Sequence, residues 1–172
     1  FYSESSSFCF QCPPGPGMVS SVPAAGGSPT LFASGGPWLP SRLALAADGL
    51  YANNDASGQL LHLPFTGGEP EIALDFGVGA NELARDGSRI YFTGKLDGAV
   101  RFYDEITQEV VVLAPAESEL RSLIARDGAA YWLAGNEPTE LRRAKDGQVE
   151  TLMVSPSEGV DLAVSGSHAY LV

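Results

Sequence analysis

Cys9-Phe10-Gln11-Cys12 is the first arrangement in the chain that could do chemistry. A Cys-x-x-Cys pair can exchange thiol and disulfide, supply half of a zinc site, or hold two disulfide half-partners. Zinc needs two further ligands, and the only histidines are His62, read on an outer strand, and His168, read in a hairpin turn, too scattered to converge. Redox catalysis usually rests such a motif on a helix N-terminus, whereas Pro13-Pro14-Gly15-Pro16-Gly17 follows here and breaks helices. A disulfide, local or to a segment outside this sequence, is the expectation for Cys9 and Cys12, and an exported location follows from it. Asp48, Asp86 and Asp127 recur as a tempting carboxylate set, but each precedes a glycine, and Asp-Gly between two strands is first of all a hairpin turn. There is no Gly-x-Ser-x-Gly elbow, and Gly26-Gly27 and Gly67-Gly68 join strand to strand rather than cradling a phosphate. No catalytic residue, metal site or cofactor is expected.

The elements that would position any site are set by a period. Tyr51, Tyr91, Tyr131 and Tyr170 each follow a short apolar run and a small-residue turn, about 40 residues apart. Such a spacing marks a supersecondary unit that buries its apolar face only by stacking on copies of itself. In the first full copy, Arg42 to Ala46 alternates at period two, Asp48-Gly49 turns, and Leu50 to Asn53 returns; Leu60 to Phe65 and Glu71 to Phe76 complete four strands. Four short antiparallel strands in about 40 residues describe one propeller blade. The reading is all-β, with full blades at 42–76, 82–113 and 122–154 and half blades at 18–33 and 161–172. Residues 1–17 read as a Cys/Pro/Gly-rich tail or linker. The half blades are complementary, outer strands first and inner strands last, so their pairing would complete a blade and remove two open edges. That predicts a partial ring, or a ring closed by self-pairing within one chain or between copies in a homo-oligomer.

Composition narrows the partners. With 21 acidic against 10 basic residues, a formal charge of -11 repels a phosphate backbone and an anionic bilayer, so nucleic acid is not expected. No apolar run reaches the roughly 20 residues of a spanning helix, and no basic-then-apolar leader is present, so the chain reads as soluble without membrane insertion. It starts at Phe1 and stops at Val172 inside an expected strand, which reads as a processed product or a piece of something longer.

Ile90-Tyr91-Phe92-Thr93, Ala130-Tyr131-Trp132-Leu133 and the repeated Pro-x-x-Gly-Gly-x-Pro at Pro23 and Pro64 resemble the YWTD and TolB-like group of six-bladed propellers, among them the repeat-rich secreted or envelope propellers common in myxobacteria. The resemblance covers residues 18–172. It implies a propeller fold and an extracellular or cell-envelope location. The Asp that ends the YWTD motif is replaced by Asn54, Gly94 and Ala134, and the motifs speak to fold rather than reaction.

In a propeller the innermost strand of each blade lines a channel, and the residues just before it crown one mouth. Those positions are Arg42, Asn81, Glu82, Arg121 with Ser122, and Asp161, a mixed-charge set suited to a polar ligand. Trp38 leads into a first strand, either projecting at the mouth to stack on a sugar or peptide or plugging the core between blades. The expected function is non-enzymatic: a scaffold whose mouth binds a peptide, glycan or protein partner. A lyase or hydrolase with its site at the channel mouth, and a structural, self-assembling propeller fragment, are the alternatives.

Overall fold

Alternating apolar and polar residues, broken every few positions by Gly, Asp or Asn, leave no stretch suited to a helix. The computed structural model is accordingly built of strands, with no helix among the described residues. It describes residues 2–4, 17–34, 36, 38–75, 77, 79–117, 119–159 and 161–171; Cys9 and Cys12 and their expected disulfide lie outside them. No described helix is long and apolar enough to cross a membrane. The strands fall into two units, Phe1–Gly79 and Ala80–Val172.

The first unit holds two sheets. One is three-stranded, in the order β1 (Tyr2–Glu4), β2 (Met18–Ser21) and β3 (Thr30–Ser34). The other is a four-stranded antiparallel meander of β4 (Pro40–Leu45), β5 (Gly49–Asn54), β6 (Gln59–Pro64) and β7 (Glu71–Asp75). Every residue of β5 is buried, and Leu50 and Ala52 join Val19, Trp38, Leu61 and Leu63 in the core. Residues 2–4, which the sequence places in a tail, form a strand: Tyr2 to Glu4 pair antiparallel with Ser20 to Met18. Among the described strands β2 thus has β1 on one side and β3 on the other.

The second unit repeats the plan. β8 (Ala80–Asp86), β9 (Arg89–Gly94), β10 (Val100–Asp104) and β11 (Glu109–Ala114) form one four-stranded sheet. β12 (Arg121–Arg126), β13 (Ala129–Ala134), β14 (Thr139–Lys145) and β15 (Gln148–Ser155) form the next, and β16 (Leu162–Ser165) pairs with β17 (His168–Leu171). Tyr91, Val100 and Phe102 of one four-stranded sheet share a core with Leu123, Ala130 and Trp132 of its neighbour. Leu133 and Leu141 pack in turn on Leu162, with Tyr131 and Leu171 beside them. The β12–β15 sheet therefore uses one face against the copy before it and the other against the copy after it, the packing the tyrosine period predicts within this unit.

The inner hairpins correct one sequence reading. Their two-residue loops are Ala47-Asp48, closed by the Ala46 N–H to Gly49 carbonyl hydrogen bond, and Gly87-Ser88, Asp127-Gly128 and Gly166-Ser167, as the pairs Asp86↔Arg89, Arg126↔Ala129 and Ser165↔His168 require. Among these inner hairpins only Asp127-Gly128, with φ of 52° and 72°, has both residues of an Asp-Gly pair in the turn, as Asp146-Gly147 does in the outer hairpin of the same sheet. Asp86 is the last residue of its strand, and Asp48 sits in the turn with Gly49 already in β5. The side-chain alternation fixes the turn position, and any pair able to reverse the chain fills it. Released from the turn, Asp86 accepts the backbone N–H of Gly128 at 2.6 Å and ties the hairpin tips of two neighbouring sheets.

Candidate functional site

The site is built at one end of the sheets of the second unit, where first strands begin, second strands pass into third strands and fourth strands finish. Here β8 and β12 each carry a bulge, between Ala80 and Leu83 and between Arg121 and Ile124. A bulge adds a residue against its partner strand and re-aims side chains. It falls on the expected mouth positions, Asn81-Glu82 and Ser122. Ser122 adopts φ 47°, and its hydroxyl donates to Asp161 Oδ1 at 3.1 Å, which also accepts the Leu162 N–H at 2.8 Å. The Glu82 N–H donates to the buried Thr93 Oγ1 at 3.1 Å. Arg121 pairs with Glu158 and donates Nη2 to the Gly135 carbonyl at 2.5 Å.

Arg42, at the matching position of the first unit, is exposed and donates to its neighbour's carbonyl, Ser41 O, at 3.0 Å; β4 carries the same bulge between Pro40 and Leu43. Trp38 is only 5% exposed and belongs to the core. It also edges a depression of about 210 Å³ with Asn54, Gln59 and Glu69, so of the two sequence readings its burial favours the core one. His62 lies 3.3 Å from Asp48 in the first unit, and His168 lies exposed at the hairpin end of the second, its ring stacked on Tyr170. The described residues hold no His/Cys/Asp/Glu group arranged to take a metal ion.

The sequence reading passes over the loops that shape this end. A depression of about 390 Å³ is lined by Glu117, Asn136, Glu137, Glu140 and Arg142, and one of about 370 Å³ by Asn81, Lys95, Leu96, Asp97, Glu117 and Glu119. Glu117 belongs to both, so they adjoin. Its N–H donates to the Gly98 carbonyl at 2.8 Å, and its carboxylate receives Arg142 Nη1 at 2.6 Å. Arg142 Nε reaches Glu140 at 2.8 Å. Burial works against the Arg142 charge, but Glu140 and Glu117 more than offset it and raise its pKa above the ordinary value. Thr139, fully buried, donates to the Asn136 carbonyl at 2.7 Å and accepts the Gly159 N–H at 2.9 Å, so one hydroxyl fixes two loops of the rim. The signal that could have found these loops is the recurrence of carboxylates at residues 117, 119 and 137 between strands.

Asp97 is held below its ordinary pKa, chiefly by the Arg101 guanidinium, despite partial desolvation. Asp104 is lowered too, first by the Ile106 N–H, with Thr107 and Arg89 adding to it. A carboxylate with a depressed folded-state pKa stabilises the fold above its unfolded value of 3.8, and that stability is lost as pH falls through the lower folded value. Urea midpoints measured from about pH 5 to about pH 2 should therefore drop, and Asp97→Asn should flatten part of the slope. An unchanged slope in that variant would remove Asp97 from the account.

No protein-family model matches the chain, and no curated protein matches it by sequence. Solved structures do. A chain of a nidogen/laminin complex matches with a TM-score of 0.63 at 14% identity over 83% of this chain and 75% of that one. The computationally designed Ika4 protein matches with 0.66 at 15% identity over 80% and 86%. The designed Ika8 protein gives 0.66 at 15% identity, over 81% of this chain and 45% of that one. Together with the repeated four-stranded antiparallel sheets, these likenesses define the chain as a β-propeller-fold protein.

Proposed function

We propose that the protein is a non-enzymatic interaction module that binds a basic segment of a protein or peptide partner on the loop end of its second unit. The observation that carries this is the pair of adjoining depressions sharing Glu117. Around them Arg101, Arg121 and Arg142 already have carboxylate partners, whereas Glu119 and Glu137 are exposed with no partner among the described residues. Lys95 offsets one of these charges, but Glu117 and Glu140 share the single Arg142, so the surplus charge is negative and cationic side chains complement it. Asn81, Glu82 and Asp161 stand at the same end and extend the surface. Leu96, 79% exposed at the rim, offers an apolar contact within it. A nidogen/laminin complex among the structural likenesses shows that a protein complex contains a chain of this fold, which supports the reading.

The test titrates the protein with a fluorescent octalysine peptide and an octaglutamate control. The basic peptide should bind with an affinity that falls as salt rises. Glu119→Gln with Glu137→Gln, which spares the Arg142 ion pairs, should weaken it several-fold, since exposed charge pairs each contribute up to about 1 kcal/mol. Equal binding of both peptides, or a double variant that binds like the parent, would count against this surface.

A further inference from the structure

The hairpin end of the second unit holds a different kind of cavity. In each full sheet three residues stand in a row across the second, third and fourth strands, beginning at the repeat tyrosine. The rows are Tyr51–His62–Glu71, Tyr91–Phe102–Val111 and Tyr131–Arg143–Glu150. The first and third end in a carboxylate with a basic residue in the middle, and Arg143 Nε indeed donates to Glu150 at 2.8 Å. The middle sheet alone replaces this polar pair with Phe102 and Val111. Across from them the neighbouring sheet presents Ala144 and the turn glycines Gly128 and Gly147, with Lys145 and Asp146 beside them, and the mismatch of large against small leaves a space of about 240 Å³. A cavity of ~150 Å³ holds benzene, so this one has room for a ring and a short side arm.

Its rim is charged. Arg89 lies 4.6 Å above the Phe102 ring and is engaged by Asp104 at 3.4 Å and by the Tyr91 hydroxyl. Asp86 is taken up by the Gly128 N–H, and Asp146 is exposed in the β14–β15 turn. Lys145 has no partner among the described residues. It shares this with Lys95 at the opposite end of the sheets, whereas each arginine is engaged, from Arg85 with Glu105 to Arg126 with Asp127, under a formal charge of -11. An ammonium left open at the lip of an apolar pocket is the arrangement that orients an amphipathic anion, with the body desolvated and the charge met at the surface.

We propose that this cavity binds a small amphipathic carboxylate, its apolar body against Phe102, Val111 and Ala144 and its carboxylate on Lys145. The site lies at the other end of the sheets from the proposed partner surface and stands or falls independently of it. Calorimetric titration with phenylacetate, hexanoate, phenylacetamide and benzylamine tests it. A carboxylate should bind with a dissociation constant on the order of a millimolar or below, as expected for about ten heavy atoms. Phenylacetate over hexanoate assigns an aromatic body, and the reverse an aliphatic one. Lys145→Met should weaken the carboxylate about fivefold or more without changing the amide. Val111→Phe, at a site 39% exposed and therefore tolerant of a larger side chain, should narrow the cavity and weaken both. Equal or tighter binding of the amide or the amine, carboxylate binding indifferent to Lys145→Met, or no binding of any probe to the folded parent would overturn the proposal.

Discussion

Trp132→Ala should lower the unfolding free energy by about 3–5 kcal/mol, the range for removing a large aromatic from a close-packed core. Trp132 has no exposed surface and stands in the core shared by the two four-stranded sheets of the second unit. Ala130, Ala134 and Ala144 of its own sheet share this core and are too short to reach into the void, which would have to be filled by shifting larger residues held on other strands. Total stabilities run about 5–15 kcal/mol, so at the low end of that range the loss would leave the protein close to half-unfolded. Trp132→Phe separates volume from polarity. The indole Nε1 is buried without a hydrogen-bond partner, and an unmet buried donor costs about 1–3 kcal/mol. Phenylalanine removes that donor along with part of the ring, so its cost should be no more than about 1–2 kcal/mol, clearly below that of alanine. Urea unfolding followed by far-ultraviolet circular dichroism measures both. Equal losses for Phe and Ala would show that the Nε1 group is satisfied in solution, and a loss below about 1 kcal/mol for Ala would show that the sheets do not share this core.

The same tryptophan marks how far the sequence could be read. A period of about 40 residues is a packing signal, and packing is what the tyrosines report: Tyr51 and Tyr91 are 7% and 2% exposed, Tyr131 is half-buried, and Tyr170 is 54% exposed. Tyr91 and Tyr131 lie on faces that meet the next copy, so within the second unit apolar alternation suffices to find the strands and their stacking. Turn position was less legible, because Asp-Gly is a good turn in isolation while the register that decides is set by cross-strand pairs such as Asp86↔Arg89. The bulges were invisible for a related reason: nothing in Asn81-Glu82 or Ser122 distinguishes a bulged pair from a regular one until the partner strand is placed.

The site shows the same division. Arg121 and Asp161 stand out in the sequence because they occupy repeat positions, and the structure gives them partners in Glu158 and Ser122. Glu117 and Arg142 were missed because their pairing joins a connection after β11 to β14, 25 residues apart, and no period relates the two. Thr139 was missed as well, since a threonine in a strand looks like an ordinary β-former until its hydroxyl is seen to fasten two loops. What repeats could be inferred from sequence, and what makes one copy differ from the next needed side-chain geometry. The row Tyr91–Phe102–Val111 is the exception that sequence could have shown, because its departure from the polar rows beside it lies in residue identity alone.

Gly98→Ala should cost about 2–4 kcal/mol and should also impair the proposed partner surface. Gly98 has φ 63°, where an L-residue is disfavoured by about 1–2 kcal/mol. A Cβ there would also press on the Glu117 carbonyl oxygen well inside van der Waals contact. That neighbour is backbone, so no rotamer change relieves the overlap, and the connection leading to β12 has to move. The movement breaks the hydrogen bond from the Glu117 N–H to the Gly98 carbonyl and draws the carboxylate away from Arg142, which opens the wall between the two depressions. Gly87→Ala is the matched control: its φ is 60°, and nothing lies within 4 Å of its added Cβ, so it should cost only the conformational share of about 1–2 kcal/mol and leave octalysine binding unchanged. The difference between the two variants isolates the close approach of residues 98 and 117. If Gly98→Ala is no more destabilising than Gly87→Ala, that approach does not hold the loop. If it destabilises but binds the basic peptide as the parent does, the depressions around Glu117 are not where the peptide sits.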